Sequence, residues 1–150
     1  MHALPVDAYA VLGTPGPDTT LRLWDLESGE GRLLQGHGGS VDGALLLPDG
    51  RRALSWSVGR LWLWDLESGE GRPQQRHGSW VLGVRLLPDG RRALSWSADR
   101  TLRLWDLTEW HEAKRFVGDD FITTVLPSAP RQLLLAGDAR GRIMVFDLPP

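Results

Sequence analysis

Apolar and polar residues alternate along most of the chain, in short runs that are separated by turn residues. Residues 60–64 (RLWLW) and 101–105 (TLRLW) show this period of two and predict β-strands. Pro-Asp-Gly at residues 48–50 and 88–90 predicts tight turns, because proline suits the first central position and glycine accepts a positive φ. No segment sustains the 3.6-residue period of an amphipathic helix. The pattern therefore predicts an all-β fold.

The strand pattern repeats with a period of about 40 residues. The sequence LLPDGRRALSWS occupies residues 46–57 and again residues 86–97. The sequence LRLWDLESGEGR occupies residues 21–32 and recurs, with one substitution, at residues 61–72. Such a period is typical of arrays of supersecondary units that bury their faces against one another.

Each period holds four predicted strands, which we label d, a, b and c in chain order. The chain then forms one domain over residues 1–150, with fourteen predicted strands. It begins with a half unit of strands b and c, and three complete units follow. The predicted boundaries are residues 1–25 for the half unit and 26–66, 67–107 and 108–148 for the complete units.

Several features of these units resemble the WD40-repeat β-propeller family. They are the Gly-His pair at residues 36–37, the Pro-Asp-Gly turns, the segment SWSAD at residues 95–99, and the Trp-Asp pairs at residues 24–25, 64–65 and 105–106. Phe146-Asp147 closes the last unit as a conservative variant. The resemblance covers the whole chain. It implies a WD40-type propeller segment of four-stranded antiparallel blades, with three full blades and a b–c half blade.

In this family each blade is typically held together by a ladder of buried polar residues, and the resemblance implies such ladders here. The complete set consists of His77, Ser95, Asp99 and Trp105. The incomplete sets are His37, Ser55 and Trp64 in the preceding unit, and Thr14, Asp18 and Trp24 in the first. The preceding unit has Gly59 near the aspartate position. A ladder of this kind pairs several buried polar groups at once.

The same residue types also suggest a nucleophilic triad, in which Ser95 would attack and His77 would act as the base. We favour the structural interpretation, because the repeat supplies a reason for each residue and Trp105 would cap the hydroxyl. We therefore expect no enzyme activity from these residues.

The chain offers few groups for metals or cofactors. It has no cysteine, and its four histidines are scattered along the sequence. No G-x-x-x-x-G-K-[ST] phosphate loop is present. We expect neither a metal site nor a cofactor.

Charge and hydropathy narrow the range of partners. The net charge is -2 and the pI is about 6.1, so no general positive field would attract nucleic acid or an anionic membrane. The chain shows no signal peptide and no apolar run near the roughly 20 residues that span a bilayer. These features predict a soluble cytoplasmic protein without a nucleic-acid or membrane partner.

Propellers of this family usually bind proteins or peptides at the end that carries the d–a and b–c loops. Trp80 is the leading candidate, because an aromatic residue just before a strand is costly unless it packs or recognises a partner. Its alternative role is to cover the neighbouring blade, and the same choice between recognition and packing applies to Trp56 and Trp96. The other candidates on this face are Ser40, Arg60, Arg100, Asp120 and Arg140.

Three and a half blades fall short of the roughly four to eight blades of closed propellers. We therefore expect the chain to be a fragment of a longer propeller, to self-associate, or to close its ring with another chain. The function predicted by the resemblance is a non-catalytic scaffold that binds proteins or peptides. The alternative is a sensory or regulatory module of a larger signalling enzyme, of NTPase or kinase type, whose catalytic domain is not in this chain.

Overall fold

The computed structural model describes residues 9–13, 21–34, 41–57, 59–74, 77–128 and 132–150. This part of the chain contains fourteen β-strands. It contains no helix that could cross a membrane. The chain divides into two compact units, residues 1–76 and 77–150, and each holds two antiparallel sheets.

The first unit contains a three-stranded and a four-stranded sheet. The three-stranded sheet comprises β1 (Tyr9–Gly13), β2 (Leu21–Asp25) and β3 (Gly31–Leu34). The four-stranded sheet comprises β4 (Gly43–Leu46), β5 (Arg52–Ser57), β6 (Arg60–Asp65) and β7 (Gly71–Pro73).

The second unit has the same two kinds of sheet in the opposite order. The four-stranded sheet comprises β8 (Val81–Leu86), β9 (Arg92–Ser97), β10 (Thr101–Asp106) and β11 (His111–Val117). The three-stranded sheet comprises β12 (Ile122–Ser128), β13 (Leu133–Asp138) and β14 (Ile143–Asp147).

The d strands pair with the c strands that precede them. These pairs are β2–β3, β6–β7 and β10–β11. The two four-stranded sheets therefore run a-b-c-d, whereas β1–β3 runs b-c-d and β12–β14 runs a-b-c. The sheets are offset from the predicted units, which begin with d. The all-β class is confirmed, and the described residues contain fourteen strands as predicted. They group as three, four, four and three strands, whereas the sequence predicted two, four, four and four.

An aspartate side chain closes each c–d turn and explains this order. Oδ1 of Asp25 accepts hydrogen bonds from the backbone N–H groups of Glu27 and Ser28, at 2.9 and 3.2 Å. Asp65 and Asp106 accept N–H groups at the equivalent positions of their own turns. Because this turn reverses the chain within a few residues, the d strand returns beside c.

Each unit has its own apolar core, built from alternate residues of its strands. In the first unit the core centres on Leu21, Leu23, Leu34, Ala53, Trp64 and Leu66. In the second it includes Leu94, Leu102, Leu104, Ile122, Val125 and Leu134. The alternation places the polar ladder residues on one face of a strand and leucines on the other.

Tryptophan rings lie over glycines of the neighbouring strand. Gly43 pairs with Trp56 and Gly83 pairs with Trp96 across the a and b strands. A Cβ atom added at either glycine would lie within 3.0 Å of three ring carbons. Both tryptophans are partly buried, and Trp96 also packs against the core of the second unit. These contacts give the two tryptophans a packing role within their own sheets.

We predict that Gly83→Ala destabilises the protein by about 1–3 kcal/mol, because the new methyl group would displace the Trp96 ring. Urea unfolding followed by tryptophan fluorescence would measure the change. Gly78→Ala is the matched control, since its added Cβ would meet only ordinary contacts, the nearest being Asp99 Cβ at 3.5 Å. Equal stability of the two variants would contradict this account of the glycine.

Candidate functional site

Four residues from separate parts of the second unit meet inside the sheet β8–β11. His77 precedes β8, Ser95 lies on β9 and Trp105 on β10, while Asp99 lies in the hairpin between β9 and β10. The side chains of His77, Ser95 and Trp105 are almost completely buried. The structure thus brings together the set that the resemblance implied as a complete ladder.

A continuous series of hydrogen bonds joins these side chains. Trp105 Nε1 donates to Ser95 Oγ at 2.8 Å, and Ser95 Oγ lies 2.7 Å from His77 Nε2. His77 Nδ1 lies 3.0 Å from Asp99 Oδ2 and also 3.0 Å from Thr101 Oγ1. The Thr101 hydroxyl in turn donates to Asp99 Oδ1 at 2.6 Å. Every polar atom in the series is therefore paired.

The chemistry of the partners defines the proton positions. A carboxylate only accepts, so His77 Nδ1 carries a hydrogen and donates it towards Asp99. In a neutral imidazole the other nitrogen, Nε2, is then bare and accepts the hydroxyl hydrogen of Ser95. The Ser95 oxygen keeps a lone pair for the Trp105 indole N–H. One hydroxyl thus acts as donor and acceptor at once.

The surroundings hold His77 neutral. Burial and, to a smaller extent, the positive charge of Arg103 together lower its pKa from 6.5 to about 4, although Asp99 opposes the shift. Burial alone would raise the pKa of Asp99, but hydrogen bonds from Thr101 and Gly78 outweigh it and leave that pKa well below its usual value. Asp99 is therefore ionised beside a neutral imidazole at neutral pH.

Arg103 and Glu112 extend this set, although the sequence reasoning did not select them. Arg103 is almost fully buried, with its guanidinium 3.3 Å from Asp99 Oδ2 and 3.7 Å from Glu112 Oε1. Glu112 also accepts two hydrogen bonds from Arg115, at 2.8 and 2.9 Å. Strand alternation was the available signal, because Thr101, Arg103 and Trp105 share one face of β10.

In the sheet β4–β7, uncharged residues occupy the positions that correspond to Arg103 and Glu112 of the sheet β8–β11. Trp64 Nε1 donates to Ser55 Oγ at 2.8 Å, as in the second unit. Trp62 pairs with Ser55, at the position that Arg103 occupies opposite Ser95, and stacks on Trp64 with ring centroids 5.6 Å apart. Gly71 takes the position of Glu112 opposite the tryptophan. His37, the predicted third member here, lies outside the described residues.

The two three-stranded sheets, β1–β3 and β12–β14, keep less of the ladder. Thr14 and Asp18 lie outside the described residues, and Trp24 Nε1 is buried without a partner among the described ones. In β12–β14 the serine and tryptophan positions hold Ala136 and Phe146, and the Phe146 ring packs on Phe116 with centroids 4.8 Å apart. Replacing donor and acceptor together leaves no unpaired polar group.

Comparison with known families agrees with this geometry. Residues 72–106 match the family model described as WD domain, G-beta repeat. The matched stretch contains the whole His77, Ser95, Asp99 and Trp105 set. The chain contains a WD40 repeat. A search of curated proteins gives no significant match. WD40 repeats are protein-interaction modules that are generally non-catalytic, so the match indicates an interaction scaffold.

The WD40 ladder has the order of a Ser-His-Asp triad but not its accessibility. Ser95 Oγ is within hydrogen-bond distance of His77 Nε2, and His77 Nδ1 faces Asp99, as a nucleophilic triad requires. Ser95 is completely buried, however, and the Trp105 indole occupies its oxygen. A substrate carbonyl could not approach this hydroxyl. The geometry fits a structural role for the set.

One acidic group in the described residues has the spacing of metal ligands. Ligand atoms of Asp106, Glu109 and His111 lie within 4.8 Å of one another, at the turn between β10 and β11. Asp106 already accepts the N–H groups of Thr108 and Glu109, and His111 lies 3.8 Å from Glu109. These contacts within the turn explain why the three side chains lie close together.

The predicted partner-binding residues of the second unit lie on loops at one end of its sheets. Trp80 is 54% exposed, and Arg100 is exposed in the β9–β10 hairpin. Arg140 forms an ion pair with Asp120 at 3.0 Å. Arg60, in the first unit, is half-buried at the start of β6, and Ser40 lies outside the described residues.

We predict that acidification destabilises the WD40 ladder through His77. A histidine whose pKa is lowered on folding gives full stability above its unfolded pKa, and this stability is lost as the pH falls from 6.5 towards about 4. The free energy of unfolding, measured with urea, should be about 2 kcal/mol smaller at about pH 5 than at about pH 7.

His77→Gln is the matched variant, because it removes the titrating ring but keeps a polar side chain. It should be less stable near neutral pH and should change much less between the two pH values. A wild-type protein whose stability is the same at both pH values would refute the buried, neutral imidazole.

Proposed function

We propose that the chain is a non-catalytic scaffold that binds proteins or peptides and that completes a propeller ring by packing against a further sheet. The observation that carries this proposal is that the reactive polar side chains of the chain are buried, whereas several large apolar side chains are exposed. The residues suited to chemistry, Ser95, His77 and Asp99, are consumed in an internal ladder. Large apolar side chains elsewhere in the structure are exposed.

One face of the sheet β12–β14 supports the packing part of the proposal. Leu135 is 39% exposed, Val145 59% and Ile143 76%. Leu135 pairs directly with Val145, so the side chains form a continuous apolar surface across neighbouring strands. Isolated apolar residues are normal on a protein surface, but a contiguous patch is typical of an interaction site.

The repeat identifies what kind of surface would cover this face. The equivalent residues of the sheet β8–β11 are Leu94, Leu102 and Leu104, all of which are fully buried. They belong to one core cluster with Val125 and Leu134 of the adjacent sheet. A further sheet that presents apolar residues like Val125 and Leu134 would cover Leu135, Ile143 and Val145 in the same way. A second copy of the chain is the occupant that we propose for this face.

We predict that the purified chain self-associates and that Ile143→Lys with Val145→Lys makes it monomeric. Two lysines on the apolar face would have to be desolvated in the assembly, whereas they would remain solvated in the monomer. Light scattering measures the mass of each form, and circular dichroism checks that the variant keeps its strands.

Val117→Lys is the control, because Val117 is 72% exposed on β11, outside this face. It should leave the assembly intact. A folded wild-type monomer would overturn the self-association, and so would a double variant that still assembles.

A further inference from the structure

Arg100 has a backbone conformation that arginine rarely adopts. Its φ is +72°, in the left-handed region. In the corresponding b–c hairpins of two other sheets a glycine holds the positive φ, namely Gly59 at +81° and Gly141 at +80°. Glycine has no Cβ and adopts this conformation without steric cost, whereas arginine does so at a cost in conformational energy. The hairpin β9–β10 thus has an arginine side chain at a position where the other two hairpins have glycine.

Nothing in the described part of the chain explains that side chain. Arg100 is exposed, and its side chain makes no hydrogen bond or ion pair with a described residue. Only its backbone is engaged, since its carbonyl accepts the N–H of Gly118 at 2.8 Å and its N–H donates to Ser97 at 3.2 Å. Residues held in unfavourable backbone conformations are concentrated at functional sites. The guanidinium is available to a partner.

Two exposed aromatic residues flank the Arg100 hairpin along one end of the unit. The Trp80 carbonyl accepts the N–H of Ala98 at 3.1 Å, which holds Trp80 beside this hairpin. Gly118, which binds the Arg100 carbonyl, begins the loop that leads to Phe121. Trp80 is 54% exposed and Phe121 46% exposed. The Arg100 hairpin therefore lies between the backbone of Trp80 and the loop that leads to Phe121.

The acidic groups of this end are already engaged. Asp99 accepts hydrogen bonds from His77, Gly78 and Thr101, and is largely buried. Asp120 forms its ion pair with Arg140 at 3.0 Å, and Asp119 forms one with Arg142 at 3.4 Å. Within the described residues the charge of Arg100 is left without an anionic counterpart. A partner that supplies one would complement this surface.

We propose that Arg100, Trp80 and Phe121 bind a linear peptide segment in which an acidic side chain is adjacent to an apolar one. The Arg100 guanidinium receives the carboxylate, which it can bind through two parallel hydrogen bonds. Trp80 and Phe121 cover the apolar neighbour. This inference rests on the proposed scaffold function and specifies the chemistry of its ligand.

Selection of a random-peptide display library against the purified chain tests the proposal, followed by affinity measurements on the selected peptides. We expect enrichment of sequences with aspartate or glutamate next to an aromatic or aliphatic residue. Arg100→Gly should weaken their binding by about tenfold or more, and the amide form of the acidic peptide residue should lose a similar factor. Trp80→Ala should weaken binding as well.

Arg100→Gly also separates recognition from structure. Because glycine suits the positive φ, this variant should unfold at the same or a higher urea concentration than the wild type. A clear loss of stability would mean that Arg100 is structural and would overturn the proposal.

The other outcomes are equally distinct. Enriched peptides that lack acidic residues and bind Arg100→Gly normally would overturn the inference but leave the scaffold function standing. The absence of any enriched peptide would count against both.

Discussion

The hydroxyl of Ser95 is the point on which the second unit depends. It accepts the indole N–H of Trp105 on one strand and donates to the imidazole of His77, which precedes another. Three parts of the chain are thereby tied at a site with no access to water. Removal of either partner would strand a buried polar group, which costs about 1–3 kcal/mol. The ladder therefore stabilises the sheet only while it is complete.

This constraint explains why the sheets differ as they do. In the sheet β4–β7, Trp62 takes the position of Arg103 and Gly71 that of Glu112. The hairpin there is one residue shorter near the position of Asp99. Around Phe146 the hydroxyl and the indole disappear together. The sheets β8–β11 and β12–β14 are either fully paired or apolar at these positions, as expected where a half-satisfied polar network would be worse than none. In the sheet β8–β11, Arg100 also holds a positive φ at a hairpin position where two other sheets have glycine.

The strands and turns were predictable from the sequence because they depend on local patterns. Alternation of apolar residues, Pro-Asp-Gly and the Trp-Asp pairs define strands and their ends within a few residues. The resemblance also singled out His77, Ser95, Asp99 and Trp105. The pairing of each d strand with the preceding c strand was missed, because the repeat period is the same whichever neighbour d joins. Arg103 and Glu112 were missed because a charged residue on a strand usually faces solvent, and their burial appears only once β10 and β11 pair. The positive φ of Arg100 was hidden for a similar reason, since the hairpin geometry depends on how the flanking strands are paired.

The ladder requires that Ser95 donates to a neutral His77 and accepts from Trp105. Long-range proton–nitrogen correlation NMR of the imidazole rings at neutral pH tests it most directly. We predict that His77 has a protonated Nδ1 and an unprotonated Nε2. A His77 ring protonated at Nε2, alone or together with Nδ1, would show that the hydroxyl of Ser95 does not donate to it, and would contradict the ladder on which this account depends.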